Sequence, residues 1–240
     1  MIIPRIYHPH PLSIGSEISL ESQASQHLLK VLRLHRNEPV ILFNGRGGEY
    51  RGVLIKTDKH IAIVSLHDFY DVDNESPLRL HLLQGISKGE RMDYVMQKAV
   101  ELGVASITPV LTARCNVKLS PERLEKRFIH WQNVMISACE QSGRCIVPTL
   151  KPVITLSDWF GANCSLTLLC DPMIKSDEFN EPITELSLLI GPEGGFTADE
   201  IVLAKQQGIR NLNLGPRILR TETACVVAIS VLQAKFGDIV

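Results

Sequence analysis

Short apolar runs separated by polar turns characterise the first 70 residues. Three of these runs are rich in β-branched and aromatic residues and predict strands at 40–43, 49–55 and 60–66. Turn-forming residues occupy 44–48 and 57–59 between them. Residues 25–33 instead have the pattern of a helix. The pattern predicts a β-rich module of about 70 residues with one short helix, most simply a small barrel.

Residues 71–77 break this pattern, because they are acidic and polar and end in Pro77. A stretch of this composition is typical of a linker. We therefore predict an N-terminal domain at 1–72, a linker at 73–77 and a second domain at 78–240.

Strands and helices alternate beyond the linker. Short, mostly apolar runs predict strands at 80–84, 107–111, 166–170, 186–190 and 211–214. Helical spacing and start signals predict helices at 90–102, 120–142 and 224–232. Thr197 and Glu200 form a capping box that starts another helix, and Gly208 lies where that helix would stop. The second domain is therefore predicted to be α/β with a mainly parallel sheet.

Composition narrows the class of protein. The chain has 240 residues, of which 45% are hydrophobic and 21% charged, as in ordinary globular domains. No apolar run approaches the roughly 20 residues that span a bilayer. The start lacks the pattern of a secretion signal, so we expect a cytoplasmic protein with no membrane partner. The six cysteines form no C-x-x-C pair, and neither a disulfide framework nor a bound metal is expected.

The net charge of −1 hides an uneven distribution. Residues 79–150 contain 10 Lys and Arg against 6 Asp and Glu, whereas residues 151–240 contain 7 against 11. A basic middle region is suited to a polyanion. Two basic groups could follow a nucleic-acid backbone. One consists of Lys88, Arg91, Lys98, Arg114 and Lys118, and the other of His27, Lys30 and Arg33. A solvated surface explains each group equally well.

Two glycine-bearing turns near the C-terminus are the clearest sign of a ligand site. The first, 191–195, follows the strand 186–190, and the second begins at Gly215 after the strand 211–214. Glycine turns let backbone groups approach a small ligand, and ligands of open α/β sheets lie beyond the carboxyl ends of the strands. The turns therefore predict one composite pocket. Neither G-x-G-x-x-G nor G-x-x-x-x-G-K-[ST] is present, which disfavours dinucleotides and nucleoside triphosphates.

Arg217 and Arg220 lie close to the second turn, just before the last helix. Arginines beside a helix start favour a phosphate or a developing oxyanion. In a purely structural interpretation, Thr221 or Thr223 is an N-cap and Glu222 complements the helix dipole. That interpretation leaves the two arginines unexplained.

The sequences of these two turns resemble the motifs of one protein family. G-P-E-G-G-F at 191–196 and L-G-P-R-I-L-R-T-E-T-A at 214–224 are similar to the bacterial 16S ribosomal RNA uridine N3-methyltransferases of the SPOUT class, the RsmE family. The resemblance extends to segments at 4–7, 31–33, 88–93, 97–103 and 138–144, and so covers essentially the whole chain. It implies a PUA-like RNA-binding β-barrel at the N-terminus and a SPOUT α/β methyltransferase domain with a deep trefoil knot.

The resemblance also implies S-adenosylmethionine as cofactor, a homodimer, and one uridine of the 16S decoding region in the assembled 30S subunit as substrate. On this basis Arg220 is predicted to stabilise the uridine anion, and Glu222 to accept its proton or organise the site. The predicted cofactor-binding residues are Ile190, Gly191, Pro192, Gly194, Gly195, Leu214, Gly215, Pro216, Arg217, Leu219, Thr223 and Ala224. The predicted RNA-binding residues are Arg5, His27, Arg33, Lys88, Arg91 and Arg114.

Three other functions stay open at this point. A nucleotide-dependent oxidoreductase would also use glycine turns, although its usual glycine spacing is absent. A non-catalytic RNA-binding or ribosome-assembly factor would bind RNA without incorporating methyl groups. The nearest competitor is a SPOUT-type ribose 2′-O-methyltransferase, because other knotted enzymes modify that atom.

Overall fold

The computed structural model describes residues 3–57, 61–115, 120–162, 166–177 and 181–240, so parts of the turn predicted at 57–59 and the strand predicted from 60, as well as Lys118, lie outside the described residues. The chain forms two compact units. One comprises Met1–Glu75 with Ile136–Val147, and the other comprises Ser76–Met135 with Pro148–Val240. The hydrophobic pattern does not assign Ile136–Val147 to the N-terminal unit, because this grouping depends on contacts between residues far apart in sequence.

A five-stranded sheet forms the framework of the first unit. Its strands are β1 (Arg5–Tyr7), β2 (Glu17–Ser19), β3 (Pro39–Phe43), β4 (Glu49–Thr57) and β5 (Ala62–Tyr70). They are ordered β1-β3-β4-β5-β2, with β1 parallel to β3 and the other pairs antiparallel. The last three correspond to the predicted strands, although β4 ends two residues later than predicted and β5 four residues later. β1 and β2 were not predicted, because three residues are too few to show a hydrophobic period.

Side-chain alternation along β5 builds the core of this unit. Ala62, Val64 and Leu66 are fully buried, and they pack in one cluster with Leu42 of β3 and Leu54 of β4. Successive side chains of a strand point to opposite faces, so every second residue reaches the core.

The helix predicted at 25–33 begins and ends earlier than expected. Helix α1 (Ser22–Gln26) continues into a π-helical turn at His27–Val31, whose Leu28 is buried in the core. Arg33 has a φ of 57°, in the left-handed region. A right-handed helix cannot continue through that conformation.

The second unit has a seven-stranded sheet, and its parallel strands confirm the predicted mainly parallel arrangement. Its strands are β6 (Arg79–Gly85), β7 (Ser106–Leu111), β8 (Thr149–Leu150), β9 (Ile154–Thr155), β10 (Thr167–Cys170), β11 (Glu185–Ile190) and β12 (Arg210–Leu212). They are ordered β12-β10-β11-β6-β7-β8, and β9 pairs with β7. Every pairing is parallel. β12 ends at Leu212, two residues before the predicted end.

The helices of this unit are α2 (Glu90–Glu101), α3 (Pro121–Ser142), α4 (Leu156–Ala162), α5 (Ala198–Gln206) and α6 (Thr221–Phe236). The periodicity of α2 is confirmed, since Met92, Val95, Met96 and Ala99 are fully buried. α4 was not predicted. The last residues of α3 belong to the first unit.

Local sequence signals set both ends of α5. The Thr197 hydroxyl accepts a hydrogen bond from the Glu200 N–H at 3.2 Å, and the Glu200 carboxylate accepts one from the Thr197 N–H at 2.8 Å. The predicted capping box is therefore confirmed. Gly208 has a φ of 72° just beyond the helix, the left-handed conformation that ends many helices.

Candidate active site

Three loops meet at the carboxyl ends of the neighbouring strands β12, β10 and β11. Residues 170–172 leave β10, residues 190–196 leave β11, and residues 214–220 lead from β12 to α6. They line a cavity of about 410 Å³. This volume lies within the range of small-molecule sites, and the position is the one that open α/β sheets use for ligands.

Two asparagines of the β12 region hold the loop that follows β10. The side-chain amide of Asn211 donates to the carbonyl of Ile174 at 2.7 Å, and that of Asn213 donates to the carbonyls of Pro172 and Ile174 at 3.0 and 2.9 Å. The Asn213 side-chain oxygen also accepts from the Gly215 N–H at 2.8 Å. Asn213 therefore joins the loop after β10 to the second glycine turn, and its turn geometry explains why β12 stops at Leu212.

A buried chain of hydrogen bonds joins the first glycine turn to α6. The Thr221 hydroxyl donates to the Gly191 carbonyl at 2.6 Å and accepts from the Gln84 amide at 3.0 Å. A Cβ on Gly85 would lie 2.4 Å from the Pro192 nitrogen, so glycine is required where β6 passes this turn. Thr221 is thus a tie between elements and not an N-cap, since Arg220 holds the N-cap position and no side chain caps the helix.

Charged side chains of both signs line the cavity. Arg91 donates to the Glu193 carboxylate at 2.7 Å, and its Nε lies 3.8 Å from Oε1 of Glu222. Partial burial opposes the ionisation of Glu193, but hydrogen bonds from the Lys88 N–H and the Arg91 guanidinium lower its pKa overall. Oε2 of Glu222 is buried without a hydrogen-bond partner among the described residues. Arg220 lines the same cavity.

Most of the residues predicted to bind the cofactor lie around this cavity. Those that line it are Ile190, Gly191, Pro192, Gly195, Leu214, Gly215, Arg217, Leu219 and Ala224, together with the predicted catalytic residues Arg220 and Glu222. Gly194, Pro216 and Thr223 are not part of its lining. Pro216 instead lines an adjoining open depression with Lys175 and Asn213. The two sequence turns therefore form one composite pocket.

The residues predicted to bind RNA are distributed over different surroundings. Arg91 lines the cavity, and Arg114 donates to the Gly194 carbonyl at 3.0 Å, which holds the first glycine turn. Lys88 is exposed beside the same turn, with its N–H bonded to Glu193. His27 and Arg33 are exposed on the first unit.

Arg5 is engaged within the first unit. Its guanidinium pairs with the Glu49 carboxylate and donates to the carbonyls of Gly143 and Arg144 at 3.1 and 3.2 Å. The Arg5 side chain is only 13% exposed. This geometry favours a structural role for Arg5, which fastens residues 143–144 to β1, over the predicted RNA contact.

Several cavity residues were not among the predicted site residues: Cys170, Asp171, Pro172, Glu193, Phe196, Ile218 and Thr221. A signal was available for the first three, because they end or follow the apolar run 166–170 just as residues 190–192 end or follow the run 186–190. The rule that ligands lie beyond the carboxyl ends of strands applies equally to both runs.

Within the part of the chain that the structure describes, no group of three or more His, Cys, Asp and Glu side chains could hold a metal ion. In the same residues, no helix is both long and apolar enough to cross a membrane.

The fold and the cavity define an α/β protein with a small-ligand site built from loops of a parallel sheet. Residues 74–233 match the family described as the RNA methyltransferase domain, and residues 20–66 match the RNA methyltransferase PUA domain. The chain is 37% identical to the ribosomal RNA small subunit methyltransferase E of Buchnera aphidicola (subspecies Schizaphis graminum), over 99% of this chain and 98% of that protein.

Two solved structures are also similar over the full length. A putative methyltransferase from Legionella pneumophila, in complex with S-adenosylmethionine, is 42% identical, with a TM-score of 0.95 over 99% of this chain and 100% of that one. The ribosomal RNA small subunit methyltransferase E of Neisseria gonorrhoeae, bound to S-adenosylmethionine, is 40% identical, with a TM-score of 0.91 over 100% of both chains. The chain belongs to the RNA methyltransferase family, with a PUA-like domain at its N-terminus, and the resemblance found in the sequence is confirmed.

Proposed function

We propose that the protein transfers a methyl group from S-adenosylmethionine to N3 of one uridine of 16S ribosomal RNA in the 30S subunit. The observation that carries this proposal is the three-loop cavity, which both Arg220 and Glu222 line. It is supported by relatives of nearly full coverage that are named ribosomal RNA small subunit methyltransferase E, and by the cofactor bound in two similar structures.

The cavity suits S-adenosylmethionine in size and chemistry. Backbone at Gly191, Gly195 and Gly215 leaves room for an adenosine, and Leu214 and Leu219 supply apolar surface for its base. Carboxylates of Asp171, Glu193 and Glu222 are part of the cavity lining and could face the positive sulfonium. Bound there, the cofactor supplies an activated methyl group on a sulfonium, so no metal is needed for the transfer.

Arg220 and Glu222 have complementary roles in this proposal. The N3 atom of uridine is a poor nucleophile until its proton is lost, and the resulting charge spreads over O2, N3 and O4. Glu222 accepts the proton through a carboxylate oxygen. The Arg220 guanidinium, at the uncapped start of α6, stabilises the anion together with the helix N-terminus.

Recognition of the target involves more than the cavity. N3 lies on the Watson–Crick edge of the base, so the uridine must be unpaired or turned outward to enter. We assign RNA binding to the PUA-like domain, proposed at 1–72 with a linker at 73–77 and a catalytic domain at 78–240. His27 and Arg33 are exposed basic side chains of this domain.

The family resemblance adds three further elements to the proposal. From the resemblance we propose a deep trefoil knot in the second unit, where residues 213–220 run from the edge strand β12 to α6. A homodimer would complete the site, and the enzyme would act in the cytoplasm, where ribosomes assemble.

Nucleoside analysis by mass spectrometry tests the function directly. The purified protein is incubated with unmethylated 30S subunits and S-adenosylmethionine, and we expect one 3-methyluridine in 16S RNA. A methyl group on ribose would support the 2′-O-methyltransferase alternative, and no methyl incorporation would support a binding factor.

The Arg220→Ala variant tests the assigned mechanism. Loss of one preorganised charge-stabilising donor should reduce turnover by about 10²–10³-fold, with little change in 30S affinity. Wild-type turnover in this variant would remove Arg220 from the mechanism.

A further inference from the structure

Arg91 lies between two carboxylates of the cavity. It is the second residue of α2, and its guanidinium uses Nη1 for Glu193 at 2.7 Å while Nε faces Glu222 at 3.8 Å. Its side chain is 42% exposed, against 28% for Glu193 and 18% for Glu222. The arginine therefore reaches from the surface towards the more buried carboxylate.

Glu193 fixes the position of Arg91. One oxygen of Glu193 accepts both from the Arg91 guanidinium and from the Lys88 N–H, the latter at 3.0 Å. These bonds join the start of α2 to the first glycine turn. The planar guanidinium is consequently held at one end by a charge-assisted hydrogen bond, while its other edge is directed at Glu222.

Glu222 needs such a neighbour if its carboxylate is to act. Oε2 is buried and has no hydrogen-bond partner among the described residues, and burial of an unpaired charge is costly. A cation 3.8 Å from the other oxygen offsets part of that cost. The carboxylate that is proposed to accept the substrate proton therefore has a charged neighbour that Glu193 holds in place.

We propose that Arg91 is a positioning residue that orients and stabilises the Glu222 carboxylate for the reaction, and that it does not bind the RNA backbone. This inference rests on the proposed function. The proposed positioning role takes the place of the RNA-backbone contact that was predicted because Arg91 lies in a basic region of the sequence. A lysine cannot serve in its place, because one ammonium on a flexible chain cannot keep the bond to Glu193 and face Glu222 in a fixed orientation.

Steady-state kinetics with unmethylated 30S subunits test the proposal. Arg91→Ala should lower kcat by about 10- to 100-fold, within the contribution of a well-placed general base, while the KM for 30S changes little. Arg91→Lys should recover little of the loss. Guanidinium chloride at millimolar concentration, but not NaCl at equal ionic strength, should partly restore Arg91→Ala.

The matched control is Arg123→Ala, which removes an exposed arginine of α3 outside the cavity. Its kcat should equal that of the wild type, and guanidinium should not stimulate it. Thermal melting and calorimetric titration with S-adenosylmethionine establish that each variant is folded and binds the cofactor. Loss of activity through misfolding would not be rescued by guanidinium.

The dependence of 30S affinity on salt, at constant Mg²⁺, separates the two roles of Arg91. Loss of one phosphate contact would reduce the slope of log K against log salt by about 0.7–0.9, whereas the proposal expects an unchanged slope. A reduced slope with wild-type kcat would overturn the inference. If the wild-type protein itself forms no 3-methyluridine, the proposed function fails; if it does and Arg91→Ala is equally fast, only the role of Arg91 fails.

Discussion

The Thr221 hydroxyl offers the sharpest test of how the site is held together. Replacement by valine keeps the shape of the side chain but removes the donor to the Gly191 carbonyl and the acceptor for the Gln84 amide. Gln84 is fully buried, so water cannot replace the lost partner.

The expected loss of stability follows from these two bonds. At about 1 kcal/mol for each, with a further penalty for the buried groups left unpaired, Thr221→Val should destabilise the protein by about 2–3 kcal/mol. For a unit of this size that corresponds to a decrease in Tm of roughly 5–10 °C. The first glycine turn would also lose its hydrogen bond to α6. We therefore expect S-adenosylmethionine to bind about tenfold more weakly, which corresponds to about 1.4 kcal/mol of binding free energy.

Differential scanning calorimetry and isothermal titration with S-adenosylmethionine measure both effects. Thr221→Ser is the control, since it keeps both hydrogen bonds and loses one methyl group, worth about 0.8 kcal/mol. A Thr221→Val protein with the Tm and cofactor affinity of the wild type would refute the argument. So would a serine variant as impaired as the valine one.

Three further predictions concern the rest of the molecule. Arg5→Ala should destabilise the first unit by about 2 kcal/mol in chemical denaturation, because Glu49, which keeps its bond to Arg51, and two backbone carbonyls lose a buried donor. An effect below about 1 kcal/mol would contradict the structural role. Thr197→Ala should cost about 1 kcal/mol through loss of the capping box, and Thr197→Ser should restore stability. Burial raises the pKa of the Cys139 thiol to about 12. In the native protein, iodoacetamide at pH 8 should therefore not modify Cys139, and peptide mapping would measure this. Rapid labelling would be inconsistent with this burial.

Elements with strong local signals were predictable. The strand at 40–43, the period of α2 and the capping box at Thr197 each depend on neighbouring residues, and each is found as predicted. β12 was predicted although it has only three residues, but β1, β2, β8 and β9, of two or three residues each, were missed. They exist because distant strands pair with them, and a period cannot be read from so few positions.

The residues of the cavity divide in a similar way. Glycine turns after apolar strands indicate a ligand site from sequence, because backbone freedom and strand ends are local properties. The loop at 170–172 carried the same strand-end signal, but only the strand order, with β10 between β11 and β12, shows that it reaches the same cavity. The role of Arg91 also depends on the tertiary structure. Its charge alone suggested a contact with RNA, whereas the fold places it between Glu193 and Glu222.

The sequence by itself determined the α/β alternation, the two turns and the family, since each is written in short-range patterns or in motifs of adjacent residues. Only the tertiary structure decided which charges meet. Arg5 binds Glu49 across 44 residues and Arg91 binds Glu193 across 102. Electrostatic and hydrogen-bond partners depend on distances of a few ångströms in space, and separation along the chain does not fix those distances.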